Sequence, residues 1–290
     1  MATCYRHPSR ETGVSCSNCG NPICPDCMTP TPVGMRCPDC ARQKTKTRTM
    51  RSVRADPTAT YVLIAVNVLM WIGTVLAGGG TNGSAYHDLE LVGVSFDPSA
   101  GGLVGVSQGE YWRLITGGFL HAANPLHILF NMYILYWLGQ MLEPELGHVR
   151  FVALYFTSLL AGAFGALLFA PANQGTVGAS GAVFGLMGAA FVMQHARGID
   201  PMRSGLGPVI LLNLVLSFLI PNVSIGGHLG GLVGGTLVAL AMEYVPAIRR
   251  SPNLAYAGCV LISAVAVAGA IAVADRKTED LGVALAGLFS

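Results

Sequence analysis

Seven stretches of this chain are apolar and carry no Lys, Arg, Asp or Glu in their interiors. They are residues 58–77, 124–143, 151–171, 177–195, 207–221, 225–243 and 253–274. A helix needs about 20 apolar residues to cross the hydrocarbon of a bilayer. Lipid offers no partner to backbone N–H and C=O groups, so a spanning segment must satisfy them internally. Seven such blocks predict an all-α polytopic membrane protein. The fifth block is short and carries Pro208 and Pro221 at its ends. Composition agrees: 11% of the 290 residues are charged, against about 25% in soluble domains. Mean hydropathy is +0.54. The net charge of +2 is too small to suggest a nucleic-acid partner.

The charges are unevenly placed. Residues 1–56 hold 13 of the 32 charged side chains and 7 of the 8 cysteines. Four regions follow: a metal-binding module over 1–43, a basic linker over 44–57, a transmembrane domain over 58–274 and a tail over 275–290. The opening residues, MATCYRHPSR, contain no apolar run, so no cleavable signal peptide is expected. Lys and Arg concentrate on the cytoplasmic side of membrane proteins. Nine precede the first span; placing that end inside puts Arg150, Arg197, Arg203, Arg249 and Arg250 inside as well. Only Arg113, Arg276 and Lys277 fall outside. The expected topology is N-terminus cytoplasmic and C-terminus outside, in a multi-pass cell-membrane protein. The Tyr111-Trp112-Arg113 run in the first outer loop suits the headgroup interface.

Four polar residues stand inside the spans, where such groups are costly and mark function. Ser180 sits about one turn into span 4, and His228 about one turn into span 6. His127 and Asn131 lie in span 2, four residues apart and therefore on one helix face. With the N-terminus inside, spans 2, 4 and 6 all run inward, so the four share one depth near the outer surface. Helices in lipid pack closely through small residues at i, i+4. Span 4 offers Gly181, Gly185 and Ala189; span 6 offers Gly227, Gly231 and Gly235. Where these ridges meet, the Ser180 hydroxyl and the His228 imidazole come within hydrogen-bond reach, about 2.6–3.2 Å. A serine becomes nucleophilic when a neighbouring base takes its proton. His228 is that base, without an acidic third member. His127, Asn131 and the Ser180 N–H are the candidate donors to an oxyanion.

At these residues the chain resembles the rhomboid family of intramembrane serine proteases. The likeness covers roughly 58–246 and rests on Trp112-Arg113, His127-Ile-Leu-Phe-Asn131, Gly178-Ala-Ser180-Gly and Gly227-His228-Leu-Gly-Gly231. It implies a six-helix core, here with one appended C-terminal helix. It also implies Ser180 as nucleophile, His228 as base, and His127 and Asn131 assisting the oxyanion. Catalysis would need no cofactor, and the substrates would be transmembrane proteins cut near their outer ends. Two positions depart from common members: Gly227 stands where many have Ala, and Phe184 where some have Tyr. By this likeness, segment 222–227 is a candidate lid and span 5 a candidate gate.

The head carries a second pattern: Cys4-x2-His7, Cys16-x2-Cys19, Cys24-x2-Cys27 and Cys37-x2-Cys40. These are eight ligands in four pairs, enough for two tetrahedral structural zinc ions. A cytoplasmic head favours metal over disulfides. Interleaved pairing joins Cys4 and His7 with Cys24 and Cys27, and Cys16 and Cys19 with Cys37 and Cys40; sequential pairing is the alternative. The pattern resembles B-box zinc fingers, which allows a cytoplasmic protein partner. A non-catalytic scaffold would lack the Ser180 and His228 combination. A transporter would show inverted repeats and broken helices, and the sequence has neither.

Overall fold

The computed structural model describes residues 2–42, 56–76, 83–98, 100–220 and 223–288, with side chains as far as 279. The chain divides into two compact units, Met1–Val53 and Arg54–Ser290.

The first unit is two small antiparallel hairpins around cysteine sulfur. Strand β1 (Ala2–Cys4) pairs with β2 (His7–Thr12), and β3 (Thr29–Thr31) with β4 (Gly34–Arg36). A one-turn helix, α1 (Pro38–Ala41), follows. Its buried cluster consists of Cys4, Cys16, Ile23, Cys24, Cys27, Cys37 and Cys40. A single aliphatic residue cannot make a core, so the cysteines must hold this unit together. The basic linker expected over 44–57 lies outside the described residues except for Asp56 and Pro57.

The second unit is helical. Helices α2 (Thr58–Leu76), α5 (Pro125–Leu146), α6 (His148–Phe169), α7 (Ser180–Ala196), α8 (Leu206–Leu219), α9 (Ile225–Tyr244) and α11 (Pro252–Leu288) fall on the seven expected spans. Short helices α3 (Ser84–Leu89), α4 (Arg113–Thr116) and α10 (Pro246–Arg250) and one hairpin, β5 (Ser95–Asp97) with β6 (Gly102–Val104), fill the connections. Among the described residues, α2, α6, α9 and α11 as far as Glu279 are long and apolar enough to cross a membrane, and α8 is a shorter apolar helix. The fold is that of a multi-pass membrane protein.

Helix α7 is the axis of the bundle. Its Ala182–Ala190 stretch is buried throughout, and α5, α6, α8 and α9 surround it. The two glycine ridges meet as the spacing predicts. A Cβ on Gly231 would collide with the Gly181 carbonyl, and one on Gly235 with the Gly185 carbonyl. A second row on α9, at Gly226, Gly230 and Gly234, packs on α6 at Gly165 and Ala161. Helix α9 is thus bare on two faces and wedged between two helices. At the far end from Ser180, Arg197 pairs with Glu145 at 2.8 Å and with Glu243 at 3.6 Å, tying α5, α7 and α9.

Three details differ from expectation. Helix α11 continues through 275–288, a stretch with no proline to stop it, and Lys277 holds it. The Lys277 Nζ donates to the carbonyls of Leu167 at 2.6 Å and Ala170 at 2.5 Å, capping the end of α6 with a cation. Arg113 is 2% exposed rather than at an interface. Its guanidinium donates to Glu110 Oε2 at 2.7 Å and to the carbonyls of His87 at 2.5 Å and Glu90 at 3.0 Å, pinning the connection after α2. Residues 225–227 of the expected lid are the first turn of α9; Ser224 caps it, its Oγ accepting from Gly227 N at 3.1 Å. Asn222 lies outside the described residues.

Candidate active site

The loop before α7 fixes where that helix begins. Leu91 and Thr176 exchange backbone hydrogen bonds of 3.1 and 2.8 Å, and Gly178 N donates to Gly117 O at 2.9 Å. Gly178 has φ +126°, a conformation open to glycine. A Cβ there would also lie 3.1 Å from His127 Cε1 and Nε2 and 3.6 Å from Ser180 Oγ. The missing side chain therefore leaves the space that the His127 ring and the Ser180 hydroxyl share. Ser180 is the first residue of α7, where backbone N–H groups have no intrahelical acceptor. Two turns of separate helices are thus aimed at one small volume.

His228 arrives from the first turn of α9. Its ring is 7% exposed and stacks on Phe184, with centroids 4.2 Å apart and planes 17° off parallel. Phe184 follows Ser180 by one turn, so the stack lays the imidazole on the Ser180 side of α7. Phenylalanine performs this stacking without a hydroxyl. His228 Nδ1 is 2.5 Å from Ser217 Oγ on α8. Among the described residues, Ser180 Oγ makes no hydrogen bond to His228, and Asn131 makes none to either. The Asn131 Nδ2 instead donates to His127 O at 2.9 Å, within its own helix.

Hydrogen bonding also sorts the protons of His127. Ala122 N donates to His127 Nδ1 at 3.3 Å. An Nδ1 that accepts leaves the proton of a neutral ring on Nε2, the atom that faces Gly178 and Ser180. A further residue was missed from sequence. His121 is 1% exposed, its ring centroid 5.2 Å from that of His127, and among the described residues neither of its nitrogens makes a hydrogen bond. The signal was a histidine six residues before His127, outside helical spacing. A cavity of ≈ 30 Å³ lined by Gly178, Ser180, Gly181, Ser224 and Gly227 adjoins the serine. That is room for about two water molecules.

The head gathers the eight ligands into the interleaved sets. Cys4, His7, Cys24 and Cys27 form one cluster and Cys16, Cys19, Cys37 and Cys40 the other, ligand atoms within 4.8 Å of one another in each. Tetrahedral coordination with Zn–S near 2.3 Å puts ligand atoms about 3.8 Å apart. The observed separations fit that edge: 3.8 Å for Cys19 Sγ to Cys37 Sγ, and 3.3 and 3.5 Å from His7 Nδ1 to Cys24 and Cys27. Cys37 N donates to Cys16 Sγ at 3.2 Å, and this bond chiefly holds the Cys16 thiol down, at about 6. Both clusters could hold a metal ion.

A helical membrane bundle with a serine heading one glycine-packed helix and a stacked histidine on the helix packed against it defines a class that known sequences also pick out. The Rhomboid domain profile matches residues 108–244. The chain belongs to the rhomboid family. It is 34% identical over 190 residues to the rhomboid YdcA of Bacillus subtilis (strain 168), covering 64% of this chain and 89% of that protein. It is 31% identical over 203 residues to rhomboid protease GluP of the same organism, covering 69% of this chain and 38% of GluP. Rhomboid-like protease 1 of Toxoplasma gondii is 37% identical over 157 residues, 51% of this chain and 52% of that one. The chain thus spans most of one relative and about half or less of the other two.

Proposed function

We propose that this chain is an intramembrane serine endopeptidase that cleaves transmembrane protein substrates near the outer face of a cell membrane. Ser180 attacks the scissile carbonyl, and His228 Nε2 takes the hydroxyl proton and returns it to the leaving amine. The Ser180 N–H and the Nε2–H of His127 donate to the tetrahedral oxyanion, and Asn131 assists by its remaining amide hydrogen. Water from the adjoining cavity then releases the acyl-enzyme. The observation that carries this reading is the Phe184–His228 stack one turn above Ser180. An apo hydroxyl and base are often apart and close only on substrate, which agrees with the missing Ser180–His228 bond. The chain spans the membrane seven times, its N-terminus inside and its C-terminus outside, in accord with the distribution of Lys and Arg.

The head, by the same reading, is a cytoplasmic module with two structural zinc ions. The support is the fit of the two four-ligand clusters to tetrahedral edges. Zinc would supply the folding energy that its small apolar core lacks. The protease reading is tested by co-reconstituting full-length chain with a single-span substrate in vesicles and mapping the cut by mass spectrometry. A cut at the outer end of the substrate span, lost in Ser180→Ala, is expected. Equal cleavage by Ser180→Ala would overturn it.

A further inference from the structure

The catalytic reading leaves one requirement unmet. A histidine that acts as base through Nε2 must keep its proton on Nδ1, and something must hold it there. Among the described residues, no carboxylate of the spans bonds to the ring for that task. We infer that Ser217, on α8, is the positioning residue that fixes the tautomer and orientation of His228; this rests on the Ser180–His228 assignment above.

Ser217 is 3% exposed, and its hydroxyl touches two polar atoms. It donates to Asn213 O at 2.8 Å, one turn back in α8, and lies 2.5 Å from His228 Nδ1. A hydroxyl has one proton and two lone pairs. With the proton held by the Asn213 carbonyl, the oxygen meets Nδ1 as an acceptor. The Nδ1 must then be the donor, so the neutral ring carries its proton there and presents its lone pair at Nε2. The Phe184 stack fixes the ring plane, and the Ser217 bond fixes rotation within that plane. Together they leave the imidazole one orientation. His127 is set the opposite way, its Nδ1 accepting from Ala122 N. One ring is left with a lone pair at Nε2 and the other with a proton there, as a base and an oxyanion donor require.

A neutral hydroxyl differs from the carboxylate of a triad. It orients the imidazole but gives little charge stabilisation to the imidazolium, so its removal should cost less than loss of a triad aspartate, about 10⁴-fold. The three participants also stand on three helices, α7, α8 and α9. The base is in register only while α8 is seated against α9.

The experiment uses full-length protein and a single-span substrate, with kcat and KM measured separately for wild type, Ser217→Ala and Ser217→Thr. Ser217→Ala should lose roughly 10- to 100-fold in kcat, the rate equivalent of one buried hydrogen bond. KM should stay within about twofold, since α8 packing is otherwise kept. Ser217→Thr, which retains a back-bonded hydroxyl, should recover most of the rate. The ¹⁵N-histidine spectrum of Ser180→Ala protein should show His228 protonated at Nδ1. Wild-type kcat in Ser217→Ala, a Thr variant as slow as Ala, or a His228 proton on Nε2 would each overturn the inference. Failure of wild type itself to cleave would strike the protease reading, while the ¹⁵N spectrum would still judge the Ser217 bond.

Discussion

Consider Gly231→Ala. In the structure, a Cβ at Gly231 lies 2.6 Å from the Gly181 carbonyl carbon and 3.0 Å from its Cα, and closer still to its oxygen. Ordinary contact begins near 3.4 Å, and the obstacle is backbone, which cannot rotate away. Helices α7 and α9 must therefore part by about 1 Å or more at this level. Inserting one methyl into such packing costs about 1–3 kcal/mol, which a seven-helix bundle should survive. The active site is affected more. Gly181 adjoins Ser180 and Gly231 lies one turn from His228, so the displacement enters the Ser–His distance almost undiluted. A misplacement of about 1 Å can cost 10²-fold in rate. The expected result is a folded protein with kcat/KM lowered about 100-fold. The assay is cleavage of a single-span substrate, with thermal unfolding in detergent as the fold check. Gly73→Ala and Gly258→Ala, where a Cβ meets nothing within 4 Å, serve as controls and should retain activity. A Gly231→Ala protein as active as those controls would refute the claim that backbone contact sets the site.

Gly178→Ala should be nearly inactive, because it forces a side chain into a left-handed backbone and against the His127 ring; activity within tenfold of wild type would contradict this. Glu143 is fully buried and accepts from Ala59 N at 2.7 Å, Thr60 N at 2.8 Å and Thr60 Oγ1 at 2.5 Å. Glu143→Gln should thus destabilise the bundle by about 2–3 kcal/mol, visible as a lowered unfolding midpoint. Purified full-length chain should contain two zinc ions, and Cys24→Ser should lower that content by at least one, read by elemental analysis. A wild-type content near zero under reducing conditions would contradict the zinc reading.

The span pattern was legible because an uncharged 20-residue block has few alternatives. The Gly181–Gly231 contact was legible because i, i+4 glycines in lipid have few uses besides close packing. The same rule would have revealed Gly226, Gly230 and Gly234, yet a row points to no particular neighbour until the topology is known. Arg113 was misjudged, since sequence beside Trp112 does not distinguish an interfacial cation from one enclosed by carbonyls of its own loop. The cysteine spacing gave the ligands but not their partners; cross-pairing depends on how two hairpins fold together. Ser217 was silent because a serine in an apolar helix usually bonds its own backbone. Ser217 does so too, and only the arrival of α9 reveals its second contact.

The central claim is that Ser180 is made nucleophilic by His228. Intact-protein mass spectrometry after treatment with a fluorophosphonate tests it most directly. A single adduct on Ser180 in wild type, absent from Ser180→Ala and His228→Ala, is expected. Undiminished labelling in the His228→Ala protein, or an adduct on another serine, would contradict it.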